Sequence, residues 1–269
     1  MDAVFIYKDF TVHYQKEGNS AIPVILIHGF AEDGYVWDGQ LAFLKEYTQV
    51  IVPHLPGSGR SDYNPQLSSV EDYAGCLLAL LQHEKIETCI MLGHSMGGYI
   101  TLAFTEDHSQ YLRAFGFIHS TAFADSEEKK QNRLKGIAMM EEYGSYAFTK
   151  STTPNLFSKA YKDKFSGRID ALVNKGTGFK KEALQQYYRA MMMRPDRTLV
   201  LRNSKMPVLF VAGTEDVAVP LADVLQQVHM PKISFFHILE NTGHMGMWEE
   251  TEKTNDFILN FINYVNTNP

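Results

Sequence analysis

Apolar residues along this chain fall into short continuous runs, and the segments between the early runs carry apolar positions at helical spacing. Val4 to Tyr14 alternates, which predicts a strand, and Glu17-Gly18-Asn19 turns it toward a second run, Pro23-Val24-Ile25-Leu26-Ile27. Further runs follow at Val50 to Val52, Thr88 to Leu92, Phe115 to Ile118, Val208 to Val211 and Ile233 to Leu239. The spacing predicts helices over Trp37 to Tyr47, Val70 to Gln82 and Tyr99 to His108. Strands apolar on both faces that alternate with helices predict an α/β fold, a mostly parallel central sheet flanked by helices.

The alternation stops near Asp125 and resumes near Arg197. The stretch between is rich in Lys and Met, has no strand-like run, and reads as an inserted helical cap. Residues 125–195 hold 14 Lys+Arg against 8 Asp+Glu, and the rest of the chain holds 11 against 23. The insert is therefore +6 and the remainder −12. We expect a core formed by residues 1–124 and 196–269 with a cap of residues 125–195, in one chain of 269 residues that is 45% hydrophobic.

A net charge of −6 gives no attraction to a polyanion, so no nucleic-acid partner is expected. The apolar runs are too short to span a bilayer, and Asp2, Lys8 and Asp9 interrupt the start where an export signal needs an unbroken apolar stretch. Two cysteines, Cys76 and Cys89, fit a reducing compartment and lack metal-site spacing. The expected setting is the cytoplasm.

Gly93-His94-Ser95-Met96-Gly97 directly follows the run Cys89 to Leu92 and precedes a helical segment, the context of a serine nucleophile on a sharp strand-to-helix turn. A serine hydroxyl must lose its proton to a base as it attacks. In sites of this kind the partners follow in the order Ser, Asp or Glu, His, each after a late strand. Val208 to Val211 runs into Gly213-Thr214-Glu215-Asp216, and Ile233 to Leu239 runs into Asn241-Thr242-Gly243-His244. Ser95 is thus the candidate nucleophile, His244 the base and Asp216 the acid that orients it. His28-Gly29-Phe30 follows another strand, and the backbone N–H groups of Phe30 and Met96 are the expected oxyanion donors, each worth roughly 3 kcal/mol.

On these residues the chain resembles the α/β-hydrolase superfamily over nearly its whole length. Leu55-Pro56-Gly57-Ser58-Gly59-Arg60-Ser61 is similar to that family's P-G-x-G-x-S loop, and Glu249 follows Gly243-His244 as an acidic residue opening the last helix. His54 is a departure, since many relatives carry Asp there to shape a turn. The resemblance implies a cofactor-independent, metal-free serine hydrolase that cleaves a small or medium carboxylic ester through an acyl-enzyme. Carbon-carbon hydrolysis, amide hydrolysis, acyl transfer and a weakly catalytic ligand receptor are the alternatives on the same residues.

Asp125, shortly after a strand, and Glu215 are the alternative acids. His28 and His94 are expected to serve loop hydrogen bonds and His237 to be structural. No histidine pair has metal spacing. Trp37, His119, Met192, Met193 and Met245 are candidate lining for the substrate pocket, although methionines at helical spacing also fill gaps in packing.

Overall fold

The computed structural model describes residues 2–268. The apolar runs form one eight-stranded sheet: β1 Asp2–Tyr7, β2 Phe10–Glu17, β3 Val24–Ile27, β4 Val50–Pro53, β5 Cys89–His94, β6 Leu112–Ile118, β7 Pro207–Gly213 and β8 Ile233–Leu239. Their order across the sheet is β1-β2-β4-β3-β5-β6-β7-β8. β1 and β2 pair antiparallel, as do β2 and β4, and every other neighbour pair is parallel. All strands from β3 to β8 therefore end at the same edge, where their following loops meet.

Successive residues in the central strands point to opposite faces, and both faces are covered. Ile25, Ile27, Met91, Phe115 and Phe210 belong to one apolar cluster, and Val24, Leu26, Ile90, Leu92 and Leu209 to another. On the first face lie α2 Val70–His83 and α3 Met96–His108, and on the second lie α1 Asp38–Leu44 and α10 Thr251–Thr267. α2 begins at a capping box, in which Ser69 and Asp72 satisfy each other's backbone N–H. Its buried residues Val70, Tyr73, Ala74, Leu77, Leu80 and Leu81 recur every three or four positions.

Two expectations change in the structure. The strand expected over Val4 to Tyr14 is a hairpin, because Lys8 and Asp9 both adopt positive φ (48° and 67°) and reverse the chain as a two-residue turn. The helix expected from Tyr99 begins three residues earlier, directly after Ser95.

Between β6 and β7 lie the helices α4 Glu127–Thr152, α5 Lys159–Lys175 and α6 Lys181–Met193, followed by the short α7 Thr198–Asn203. α4 is broken at Gly144, whose φ of 83° and ψ of 167° favour a residue without a side chain. Met140, Phe148, Leu184 and Tyr187 of this region join the first apolar cluster, and Tyr161, Ile169 and Val173 join the second. Asp125, the alternative acid, lies far from that role. Its carboxylate accepts from Arg133 Nε at 2.6 Å and pairs with Arg194 Nη1 at 2.9 Å, tying both ends of the insert together. The short helices α8 Leu221–Leu225 and α9 Gly246–Glu249 complete the chain. No described helix is long and apolar enough to cross a membrane.

Candidate active site

β5 leads into Ser95, which holds φ 48° and ψ −115°, a conformation rare for a residue with a side chain. The turn closes because its neighbours are glycines: a Cβ on Gly93 would lie 2.2 Å from the carbonyl of Gly97, and one on Gly97 would lie 2.4 Å from the carbonyl oxygen of Ile27. Ser95 N–H donates to Ile118 at 3.1 Å, and Ser120 Oγ donates to the Ser95 carbonyl at 2.7 Å, so β6 braces the turn. Met96 opens α3, and its N–H belongs to the first-turn donors that have no partner inside a helix. The loop after β3 runs alongside, since a Cβ on Gly29 would lie 3.2 Å from that of Ser95.

Asp216 stands in the loop after β7 and is buried. Its Oδ1 accepts from the backbone N–H groups of Ala218 (2.9 Å) and Val219 (2.8 Å). Its Oδ2 lies 2.9 Å from His244 Nδ1 and 3.0 Å from His119 Nδ1. Burial pushes this carboxyl up, but the two histidines outweigh it and hold the group far below the usual carboxylate range. For His244, burial pushes the pKa down and the Asp216 charge and hydrogen bond more than reverse it, leaving it raised. The His244 main chain is fixed as well, because its N–H donates to Leu156 at 2.6 Å. Glu249 supports that loop by accepting from Gly243 and Ser158 N–H, each at 3.0 Å; it closes α9 and does not open the last helix.

His119 follows β6 and faces Asp216. It is wholly buried at φ 52°, and its Nδ1 carries the contact to Asp216. Trp37 is equally buried and packs edge-on to His94, with ring centroids 6.4 Å apart. Met193 is 72% exposed, because it lies two positions, over half a helical turn, from the buried Met191. Met192 is half-buried beside it. Met245 lines a cavity of about 80 Å³ with Phe30, Glu32, Thr153, Leu156 and Tyr188. Phe30 stacks on Tyr188 at 4.1 Å. A larger hollow of about 680 Å³, beside Leu112, Leu199 and Met206, opens where β6 and β7 begin and is remote from Ser95. Glu215, the other alternative acid, turns away and accepts from Lys159 N–H.

His28 and His94 both serve loop hydrogen bonds: His28 Nε2 accepts from Leu55 N–H at 3.0 Å, and His94 faces Glu32 at 2.9 Å. His54 accepts from Gly34 N–H at 3.2 Å. Sequence reasoning passed over Glu32, whose only signal is an acidic residue four positions past His28, beside Asp33. It also missed that His119, Asp216 and His244 meet, with potential metal-ligating atoms within 4.8 Å of one another. Their 2.9 and 3.0 Å spacing is that of hydrogen bonds, and a metal ion there would have to displace both histidine protons from Asp216.

Comparison with known proteins agrees with the fold. The α/β hydrolase fold family matches residues 22–143. A thermophilic esterase from Thermogutta terrifontis, solved with malate bound, superposes with a TM-score of 0.90 at 25% identity, covering 95% of this chain and 94% of that one. The 2-hydroxy-6-oxononadienedioate/2-hydroxy-6-oxononatrienedioate hydrolase of Paraburkholderia phymatum is 25% identical over 94% of this chain and 91% of its own. Karrikin insensitive 2 receptor IA of Petunia hybrida is 27% identical over 92% of each.

Proposed function

We propose that this chain, which belongs to the α/β-hydrolase superfamily, is a serine hydrolase that cleaves a small or medium carboxylic ester through an acyl-enzyme. The observation that carries the reading is the anchored pair of Asp216 and His244 at the sheet edge where Ser95 stands. With its Nδ1–H donated to Asp216, His244 keeps Nε2 free of a proton. Nε2 then takes the hydroxyl proton of Ser95 as the oxygen attacks the ester carbonyl, and the Phe30 and Met96 N–H groups receive the oxyanion. The same nitrogen returns the proton to the departing alcohol. Water, activated by His244, then attacks the acyl-enzyme and releases the acid.

The cavity between Phe30 and Met245 seats a small group of the substrate, and residues 125–195 act as a cap over the core. Both cysteines are buried and free, which supports action in a reducing compartment such as the cytoplasm. Carbon-carbon hydrolysis is the second reading, favoured by the likeness to the Paraburkholderia phymatum enzyme.

A panel of p-nitrophenyl esters, amides and vinylogous diketones separates these readings on purified protein. Ser95→Ala should stay folded and lose at least a thousandfold in turnover. Retention of a tenth of wild-type activity would remove Ser95 from the mechanism.

A further inference from the structure

We infer that Glu32 and His94 form a positioning pair that holds the main chain of His244 in register with Ser95 and with the loop carrying Phe30. The inference rests on the reading of His244 as the general base.

His94 precedes Ser95 in the turn and is wholly buried, and Glu32 is 5% exposed. Nε2 of His94 lies 3.0 Å from the carbonyl oxygen of His244. A carbonyl only accepts, so this nitrogen carries a hydrogen and donates. Nδ1 of the same ring lies 2.9 Å from Glu32 Oε2. That carboxylate oxygen also accepts the Gly29 N–H at 2.7 Å. Burial pushes the Glu32 carboxyl up, but the facing His94 and the Gly29 N–H outweigh it, and the group stays below the usual carboxylate range.

One buried oxygen thus gathers three loops that are distant in sequence. Through Gly29 it fixes the residue before Phe30. Through His94 it fixes the residue before Ser95 and the peptide of His244. The fit is close, because a Cβ on Gly29 would lie 2.9 Å from His94 Nδ1 and 3.0 Å from Glu32 Oε2. His94 and His244 stack at an angle, with centroids 4.8 Å apart, so a shift of one ring moves the other. Neither Glu32 nor His94 exchanges a proton with substrate; they act only through His244 and the oxyanion loop.

Glu32→Ala leaves His94 free to turn and the Gly29 N–H without its acceptor. A displacement of about 1 Å at the reacting groups costs about a hundredfold. We expect kcat on a p-nitrophenyl ester to fall between about tenfold and a hundredfold, with KM changed less than about twofold. Glu32→Gln can keep both bonds with its amide oxygen in the Oε2 position, where it accepts from the Gly29 N–H and from Nδ1–H of His94, so it should restore kcat to within about threefold of wild type. His94→Phe should match Glu32→Ala, and the double variant should be little worse than either, as members of one unit behave.

A Gln variant as impaired as the Ala variant would overturn the inference, and so would a folded Ala variant with wild-type kcat. Should Glu32→Ala fail to fold, the Gln variant and the wild-type protein still decide. Nitrogen NMR of wild-type His94 must show a proton on Nε2, and its absence refutes the pair without any mutation. Labelling by a fluorophosphonate keeps the two readings apart. A wild type that is not labelled at Ser95 would sink the serine mechanism and this inference together. Wild-type labelling rates in folded Glu32→Ala would sink the inference alone.

Discussion

Asp216→Asn tests the site most sharply, because the structure dictates how the new amide must sit. The Oδ1 position faces the N–H groups of Ala218 and Val219 and accepts only an oxygen. The amide NH₂ is therefore forced to the Oδ2 position, where it faces Nδ1 of both His244 and His119. Two donors cannot share a hydrogen bond, so both imidazoles must move their proton to Nε2. His244 then presents N–H to Ser95 and no longer accepts its proton. Holding a triad histidine in the wrong tautomer lowers kcat by about 10⁴, or about 5.5 kcal/mol at 1.36 kcal/mol per decade. A second cost falls on stability. His119 Nε2 is buried and has no partner among the described residues, and a Cβ on Gly246 would lie 2.2 Å from it. A proton placed there lacks an acceptor, which costs about 1–3 kcal/mol. Steady-state hydrolysis of a p-nitrophenyl ester measures the first effect and thermal melting the second. A kcat loss smaller than tenfold in a folded variant would refute the forced-tautomer argument.

Asp125→Asn should leave kcat within about threefold but lower the melting temperature by several degrees, because it leaves Arg133 and Arg194 without their buried carboxylate; a kcat loss matching that of Asp216→Asn would exchange the roles of the two acids. His28 and His54 are buried, and that burial lowers their pKa to about 4 and about 3 respectively. Between the ordinary histidine value of about 6.5 and those values the unfolded chain binds more protons, so stability falls as pH is lowered through this window, by up to about 1.4 kcal/mol per unit for each group. Urea unfolding from pH 7 to pH 4.5 measures it, and a flat profile contradicts the burial of neutral imidazole. If the +6 insert steers anionic substrates, kcat/KM for a carboxylate-bearing ester should fall from low salt to half-molar salt while a matched neutral ester is unaffected; equal responses would assign the charge to a solvated surface.

The strands were legible because a strand buried on both faces must be apolar throughout, and Val24–Ile27 and Val50–Pro53 satisfy this without help from other segments. The Lys8-Asp9 turn was not, since neither residue advertises the left-handed backbone it adopts and only pairing with β2 enforces it. Order along the chain pointed to the pairing of Asp216 with His244. It could not reveal that His119 leans on the same oxygen, because the direction of a side chain leaving a strand end depends on the neighbouring strand. Glu32 was illegible for a related reason: an acid beside a second one, Asp33, in a loop reads as solvated until three loops fold over it. Met193 shows the reverse, an apolar residue whose helical phase turns it outward.

The pairing of β6 with β7 joins Phe115 to Val208 and Ile118 to Val211, although the whole of α4, α5 and α6 lies between them in sequence. Bringing the ends of such an excursion together costs free energy that grows only with the logarithm of its length, about 0.6 kcal/mol for each doubling. Asp125 pairs with Arg133 and Arg194 at the ends of the excursion, while Leu156 and Ser158 within it hold the loop of His244. Chain entropy therefore sets little limit on the length of the excursion, but rewriting it around Leu156, Ser158 or Tyr187 would reach the His244 loop and the core. At those points selection for a new substrate and selection for a folded protein act on the same residues.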